Sequence, residues 1–222
     1  MNIIEHADRE MLAIDLANVL ASDLENCLLA HPFASFVVPG GTTPGPIFDS
    51  LCAADLEWGR VRVMLSDERW VPENHDRSNA KLLKERLFVN RAADATFVPF
   101  YKAGETPETA APKLSEDLAS ELPISLLLLG MGADMHTASL FPGAKGLAAM
   151  LQPNAPLMVP VSVDGQEPRI SFSAAALDGA MAKHLVIFGD DKRAALERAR
   201  GLDPQEAPIV AVLKEMTVHW AE

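Results

Sequence analysis

The chain has 222 residues, of which 49% are hydrophobic, and a formal net charge of −12 at pH 7. This length and apolar content favour one globular domain with a full core and argue against wholesale disorder. The negative charge disfavours nucleic acid and anionic membranes as partners, and no apolar run approaches the roughly 20 residues that a membrane helix needs. Two cysteines are too few for a disulfide scaffold or a multi-cysteine zinc site, so we expect a cytoplasmic protein.

Apolar runs of strand length alternate along the chain with runs of helical spacing. Acids interrupt the apolar pattern of residues 1–20, which predicts an amphipathic helix there rather than a signal peptide. The β-then-α order predicts a three-layer α/β/α fold with a mainly parallel, Rossmann-like sheet, formed as a single domain over 1–222. The predicted strands are 35–38, 61–65, 96–99, 124–129, 157–161, 169–173 and 184–188, and the later helices are 46–54, 79–87, 108–120 and 192–200.

A glycine pair follows the first predicted strand, in the segment VPGGTTP at 38–44. Glycines let the backbone turn sharply and approach a ligand. The exposed N–H groups of Gly40, Gly41, Thr42 and Thr43 would then favour an anion such as phosphate, and the threonine hydroxyls would add donors. The same segment also suits a tight strand–helix turn in which a threonine caps the next helix.

Three charged residues, Asp67, Glu68 and Arg69, follow the second predicted strand, in a loop expected over 66–76. They come at the carboxyl end of a strand, as the glycine loop does. An acid pair beside an arginine could bind sugar hydroxyls and stabilise negative charge. The alternative is an ordinary solvated loop.

His136 is the strongest catalytic candidate, because the apolar strand at 124–129 ends in a glycine-rich turn that also carries Asp134. The carboxyl end of a strand is where open α/β sheets bind ligands. A carboxylate two residues away can orient the imidazole, and neutral imidazole can take a proton from water near pH 7. The other histidines, His6, His31, His184 and His219, lack such a setting in the sequence, and His75 is ambiguous.

Further polar residues complete the candidate set. Arg169 precedes the alternating run at 170–173, and Lys192 opens a predicted helix. A guanidinium fork and an ammonium point charge can both clamp phosphate, although each residue alone also suits a surface charge. Ser78 and Asn79 are most simply a helix cap, with a polar contact to a ligand as a second role.

These segments, in this order, closely resemble the 6-phosphogluconolactonase family. The matching segments are VPGGTTP (38–44), LSDERWVP (65–72), RSNAKLL (77–83), LLLLGMGADMHTASLFPG (126–143) and PRISFSAAAL (168–177). The resemblance spans most of the chain, from Val38 to about Arg200. It implies a single three-layer α/β/α domain of the kind shared with sugar-phosphate isomerases and deaminases, in agreement with the β–α alternation.

The resemblance also implies an activity: hydrolysis of a phosphorylated δ-lactone of gluconic acid in the oxidative pentose phosphate pathway, without metal or organic cofactor. His136 would activate water, and Asp134 would orient the His136 imidazole. Arg69 would position the substrate or offset the charge of the oxyanion. The substrate-binding set would be Gly40, Gly41, Thr42, Thr43, Asp67, Arg169 and Lys192. The expected partner is this small molecule, with no nucleic acid or membrane, and the expected state is a monomer or weak homodimer.

One residue departs from the family pattern, because Met135 stands where the family usually has glycine between the aspartate and the histidine. Glycine there can supply a positive φ, which methionine resists. We therefore expect either a negative φ at Met135 or a reshaped loop.

Two other functions stay open. An amino-sugar-phosphate isomerase or deaminase would use Asp67 to move a proton on carbon and His136 to open the ring. The segments Asp-Glu-Arg at 67–69 and Ser-Leu-Phe-Pro at 139–142 differ from the deaminase patterns and favour the lactonase. The other alternative is a non-catalytic sugar-phosphate sensor, for which Met135 in the catalytic loop is the best support.

Overall fold

The computed structural model describes the whole chain, 1–222, and contains the predicted alternation of strands and helices. The ten strands are β1 (Asn2–Glu5), β2 (Ala34–Val38), β3 (Val61–Leu65), β4 (Asp67–Arg69), β5 (Thr96–Phe97), β6 (Leu126–Gly130), β7 (Met158–Val161), β8 (Arg169–Phe172), β9 (Ala182–Phe188) and β10 (Thr217–Ala221). The seven α-helices are α1 (Arg9–Ala30), α2 (Gly45–Leu51), α3 (Asn79–Arg86), α4 (Pro107–Asp117), α5 (Leu147–Met150), α6 (Ala174–Asp178) and α7 (Asp190–Ala199). Short 3-10 helices lie at Trp58–Arg60, Asn90–Asp94, Ala119–Glu121 and Pro208–Val212.

Seven strands form the central sheet in the order β1-β10-β9-β6-β2-β3-β5, and every neighbouring pair is parallel. Helices cover this sheet, which is why β2 and β6 are buried, continuous apolar runs rather than alternating ones. The 59 buried apolar residues form one cluster. The predicted α/β/α fold with a mainly parallel sheet is confirmed.

A second sheet has three antiparallel strands, in the order β4-β8-β7. The prediction of a continuous loop over 66–76 is wrong at β4, which pairs with β8 and places Arg69 directly opposite Arg169. Its Asp-Glu-Arg composition does not suggest a strand, because Asp and Glu are depleted in strands. In the structure both acids are buried among protein donors instead of solvated. The second sheet therefore carries charged side chains just beyond the carboxyl end of β3.

The N-terminal segment also differs from its prediction, because residues 2–5 form the edge strand β1 instead of the start of a helix. α1 begins only at Arg9, where Asp8 acts as the N-cap and accepts the backbone N–H of Met11 at 2.8 Å. β1 pairs with β10, a strand that was not predicted, and the pairing brings Asn2 opposite Thr217. Local periodicity carries no signal of a pairing between such distant residues.

α1 is the longest helix and packs against α2 and against the strands β2, β6 and β10. Its buried residues are leucines and alanines that repeat at helical spacing from Leu12 to Leu28. None of the helices combines the length and the hydropathy that a membrane span needs.

Candidate active site

A cleft of about 220 Å³ opens at the carboxyl ends of β2, β3, β6 and β9. The predicted site residues that line it are Gly40, Gly41, Thr43, Asp67, Arg69, His136, Arg169 and Lys192, together with Asn79. Thr42 and Asp134 do not line the cleft, although Asp134 contacts His136 directly. The remaining lining residues, which carry no chemical signal in the sequence, are Pro39, Pro44, Gly130, Met131, Gly132, Ala138 and Val186.

His136 is held by Asp134 through both its ring and its backbone. The imidazole Nδ1 lies 2.5 Å from Oδ1 of Asp134, and the same oxygen accepts the backbone N–H of His136 at 3.2 Å. An ionised carboxylate can only accept, so Nδ1 carries the proton and Nε2 of the neutral ring keeps its lone pair. The His136 side chain is 30% exposed and lines the cleft, so it can meet water there.

Gly132 leaves the space in which the imidazole folds back onto the turn. A Cβ at this position would lie 2.2 Å from the His136 ring and 2.5 Å from Oδ1 of Asp134. Two backbone bonds of 3.0 Å close the turn, from the N–H of Gly132 to the carbonyl of His136 and from the N–H of Met135 to the carbonyl of Gly132. The contact between the His136 imidazole and the Asp134 carboxylate therefore requires glycine at 132.

Met135 adopts a φ of +66°, which excludes the first of the two expected alternatives, a negative φ. Left-handed backbone costs a residue with a Cβ about 1–2 kcal/mol. Two contacts hold Met135 in this conformation: its carbonyl accepts the N–H of Ile209 at 3.1 Å, and its partly buried side chain packs against the hydrophobic core. The Asp134–His136 contact thus forms with methionine at this position.

Two arginines stand opposite each other beside the cleft. Arg69 of β4 pairs with Arg169 of β8, and each has a buried Nε without a hydrogen-bond partner. Burial lowers the pKa of Arg169, the Asp67 carboxylate opposes that effect, and the nearby Arg69 adds to it. Like charges directly opposite on antiparallel strands destabilise the pair. This arrangement favours an anion in the cleft, which would relieve the repulsion between the two guanidinium groups.

Phe141 connects the histidine to the arginines. Its ring centroid lies 4.4 Å from that of His136, and the guanidinium carbon of Arg169 lies 5.1 Å from the same ring. An aromatic face stabilises a neighbouring cation, so the Phe141 ring favours the Arg169 guanidinium. This contact could not be inferred from spacing, because it depends on how the loop after β6 packs against β8.

Glu68 does not line the cleft, which contradicts its interpretation as half of an acid pair for sugar hydroxyls. Its buried carboxylate accepts four hydrogen bonds of 2.8–3.0 Å; the donors are the backbone N–H groups of Arg69, Asn79 and Ala80 and the hydroxyl of Ser78. Burial raises the pKa of Glu68, while the four donors favour its ionised form. Glu68 therefore fixes the start of α3 against β4, and Ser78 is the predicted helix cap.

Asp67 does line the cleft, but the protein engages both of its oxygens. Oδ1 accepts the hydroxyl of Ser66 at 2.9 Å, and Oδ2 accepts the hydroxyl of Ser139 at 2.5 Å. Oδ2 also lies 4.0 Å from Nη1 of Arg169. These contacts join β4 to the loop after β6 and hold a counter-charge beside Arg169.

The glycine loop after β2 lies directly against α3. A Cβ at Gly40 would lie 2.0 Å from the side chain of Asn79, so this close approach requires glycine. Asn79 in turn donates to the carbonyl of Asp67 at 2.9 Å, and its Oδ1 accepts Nη1 of Arg69 at 3.4 Å. The alternative of a threonine cap is wrong, because α2 begins after Pro44 without any side-chain capping bond.

Lys192 reaches the cleft from the first turn of α7. Burial lowers the pKa of its ammonium group. Together with Arg69 and Arg169 it makes the cleft locally cationic in a chain whose formal net charge is −12. The site can therefore attract an anionic ligand that the molecule as a whole would repel.

Comparison with known proteins assigns the chain to a family. The model of the family described as glucosamine-6-phosphate isomerases/6-phosphogluconolactonase matches residues 7–220. The chain belongs to this family. Two family members named 6-phosphogluconolactonase are each 39% identical to it: one from Rhizobium meliloti (strain 1021), covering 100% of this chain and 98% of the relative, and one from Pseudomonas putida, covering 99% and 93%.

A solved structure of the same family also matches over the full length. The crystal structure of a 6-phosphogluconolactonase from Shewanella baltica OS155 has a TM-score of 0.95 and 32% identity, and the match covers 100% of this chain and 98% of that one. The family resemblance predicted from the motifs is confirmed.

Proposed function

We propose that the protein hydrolyses 6-phospho-D-glucono-1,5-lactone to 6-phosphogluconate, the lactone step of the oxidative pentose phosphate pathway. The observation that carries this proposal is the presence of a carboxylate-oriented histidine, His136, in one cleft with two arginines whose Nε atoms are unpaired. The histidine suits activation of water, and the arginines suit a phosphorylated substrate. Two relatives named 6-phosphogluconolactonase, which match this chain over nearly their whole length, support the same substrate.

The phosphate of the substrate would be held by the basic residues and the glycine loop. Arg169 offers a fork of donors, Lys192 adds a point charge, and the backbone of residues 40–43 adds N–H groups. Asp67 would keep Arg169 in place while contributing to the polar wall of the cleft. Binding energy from the phosphate would then fix the lactone ring relative to His136.

His136 would act as the general base. Its Nε2 removes a proton from water while Nδ1–H stays bonded to Asp134, and the water oxygen attacks the carbonyl carbon of the lactone. Negative charge collects on the carbonyl oxygen, where Arg69 offsets it. The bond between this carbon and the ring oxygen then breaks, and the imidazolium returns its proton to the leaving ring oxygen. The products are the open-chain acid and neutral His136.

The rival functions are less well supported by the geometry. A deaminase would need a free Asp67 carboxylate to move a proton on carbon, and here Ser66 and Ser139 occupy its oxygens. A non-catalytic sensor would follow if Met135 had displaced the base, but the contact of 2.5 Å between His136 and Asp134 is in place.

The test is an acid-release assay with freshly made 6-phosphogluconolactone, corrected for its spontaneous hydrolysis. We expect turnover well above the uncatalysed rate, and a higher KM with unphosphorylated gluconolactone, which isolates the phosphate contribution. Glucosamine 6-phosphate should release no ammonia. Ammonia release without lactone hydrolysis would select the deaminase, and binding of the lactone without turnover would select the sensor.

Organisation and location are part of the same proposal. We propose a single domain, present as a monomer or weak homodimer in the cytoplasm, where the two unpaired cysteines, Cys27 and Cys52, would stay reduced. Sedimentation at several concentrations measures the oligomeric state. A tight oligomer at the lowest concentration would contradict this part of the proposal and leave the activity untouched.

A further inference from the structure

Three histidines and two aspartates outside the cleft form one continuous hydrogen-bonded chain. Its order is Asp15, His6, His219, His184 and Asp23, and we refer to these five residues as the histidine row. Its four contacts measure 3.1, 3.2, 3.0 and 2.8 Å in that order. α1 brings a carboxylate to His6 and to His184 across the fold, a setting that the sequence around these histidines does not show.

The row joins α1 to three adjacent strands of the sheet. His6 directly follows β1, His219 belongs to β10, and His184 belongs to β9. His219 and His184 are almost fully buried, and the side chain of His6 is only 7% exposed. Water therefore has little access to the contacts between the rings.

Three neutral imidazoles supply too few protons for the four hydrogen bonds of the row. Each of the four hydrogen bonds needs one proton, and the ionised aspartates at the two ends can only accept. All of the protons must therefore come from the rings, but a neutral imidazole carries only one N–H. Three protons for four contacts would leave two lone pairs facing each other at one contact.

We propose that the histidine row is a buried binding site for one additional proton, which the folded protein holds at neutral pH. With this fourth proton, His6 and His184 each donate outward to an aspartate, and both contacts of His219 are hydrogen bonds. The row then carries one imidazolium between two carboxylates. Opposite charges at hydrogen-bond distance stabilise that ion in a buried site.

The additional proton belongs to an outer ring. Burial lowers the pKa of the central His219 to about 3; the charged groups that face it are His184 and His6, which lower it further, and Asp15 and Asp23, which raise it. His184 lies 2.8 Å from Asp23, whereas both ring nitrogens of His219 contact other imidazoles. The Asp23 side chain is 31% exposed and that of Asp15 49%, so the better-shielded pair with His184 is favoured.

The proton gives the fold a defined response to pH. An unfolded histidine loses its charge near pH 6.5, whereas the row keeps its proton to higher pH. The folded state then binds more protons than the unfolded state, so stability is present at low pH within this window and is lost as the pH rises. Loss of the proton should open the contact at the more exposed Asp15, which frees the segment after β1 from α1.

Asp23→Asn is the decisive variant, because an amide can donate where a carboxylate cannot. The new amide N–H can donate to Nε2 of His184, and each ring can then donate its single proton to the next group along the row, ending at Asp15. Every contact is satisfied with three neutral imidazoles, so this variant should fold without the fourth proton. Glu25→Gln, at an exposed position of α1, removes the same charge without touching the row and is the matched control.

The measurement is histidine ¹⁵N NMR from about pH 5 to about pH 9, which distinguishes rings with one and two N–H groups. We expect one doubly protonated ring of the row at neutral pH in the wild type and in Glu25→Gln, and none in Asp23→Asn. In parallel, the unfolding equilibrium constant of the wild type should rise by up to about tenfold per pH unit above neutral, and Asp23→Asn should remove that rise.

Three neutral rings in the wild-type row at neutral pH would overturn the proposal. An Asp23→Asn variant that keeps a doubly protonated ring would also overturn it. The ring count is made on the unmodified chain, so the proposal remains testable even if a variant fails to fold.

Discussion

At the scale of single residues, the position of His136 depends on the missing side chain of Gly132. A Cβ there would lie 2.2 Å from the imidazole, so we expect Gly132→Ala to displace the ring that we propose as the general base. Turnover should fall by at least about tenfold, equivalent to about 1.4 kcal/mol of barrier, with a smaller change in KM because the arginines are untouched. Steady-state kinetics measures both values.

Gly59→Ala is the control for this substitution, because a Cβ at Gly59 would meet nothing within 4 Å. Its turnover should match the wild type. An unchanged turnover in Gly132→Ala, or an equal loss in both variants, would show that the space at Gly132 does not position the base.

Met135 offers a separate measurement of backbone strain in the same loop. Its φ of +66° destabilises the folded state for any residue with a Cβ, while its partly buried side chain stabilises that state by packing against the core. Met135→Ala removes the packing and keeps the strain, whereas Met135→Gly removes both. We expect Met135→Gly to be more stable than Met135→Ala by about 1 kcal/mol in urea unfolding. Equal stabilities would indicate that the turn is unstrained.

His136 and Asp134 could be predicted because the residues that define their role are neighbours in the sequence. The two-residue spacing after an apolar strand was sufficient to pair them. The roles of Glu68 and Phe141 could not be predicted, because both depend on contacts with other elements. Glu68 directly follows Asp67 in the sequence, yet its side chain contacts the start of α3 instead of the cleft.

At the scale of elements, Glu68 links β4 to α3 and so positions Arg69 and Asn79 together. We expect Glu68→Gln to lower the free energy of unfolding by about 1–3 kcal/mol. The amide NH2 group would face two of the four donors and could not accept their hydrogen bonds. KM for the lactone should also rise, since Arg69 and Asn79 would lose their common anchor. Urea unfolding and kinetics measure the two effects.

The matched control for this change is Glu85→Gln, the same substitution at an exposed position of α3. It should leave both stability and KM near the wild-type values. If Glu68→Gln behaved like this control, the clamp between β4 and α3 would have no energetic role.

The elements that could be predicted from the sequence are those with strong local patterns. β2, β3, β6 and β9 are apolar runs buried by helices, and their positions were predicted to within a few residues. β4 and β10 were missed for a physical reason: their strand conformation is imposed by pairing with β8 and β9. A pairing of this kind depends on residues far away in the chain.

At the scale of the whole molecule, the buried His219 predicts loss of stability in acid. Its pKa is lowered to about 3 by burial, whereas in the unfolded chain it returns to about 6.5. Between these values the unfolded state binds more protons, so the free energy of unfolding falls as the pH falls, by up to about 1.4 kcal/mol per pH unit for this one group. Urea unfolding at a series of pH values measures the slope.

Replacement of His219 by glutamine should flatten this acid slope, and replacement of the exposed His31 should leave it unchanged. An identical slope in all three proteins would assign the acid sensitivity to other groups. Combined with loss of the additional proton of the histidine row above neutral pH, the wild type should be most stable near neutrality.

We propose that His136 activates water in a cleft that binds a phosphorylated lactone. The most direct test is the turnover of 6-phosphogluconolactone by His136→Ala, corrected for spontaneous hydrolysis, with His31→Ala as the control at an exposed histidine. General-base catalysis contributes about 10²–10⁴-fold, so turnover should fall by that factor in His136→Ala and stay at the wild-type value in His31→Ala. Near-wild-type turnover by a folded His136→Ala protein would show that His136 is not the general base.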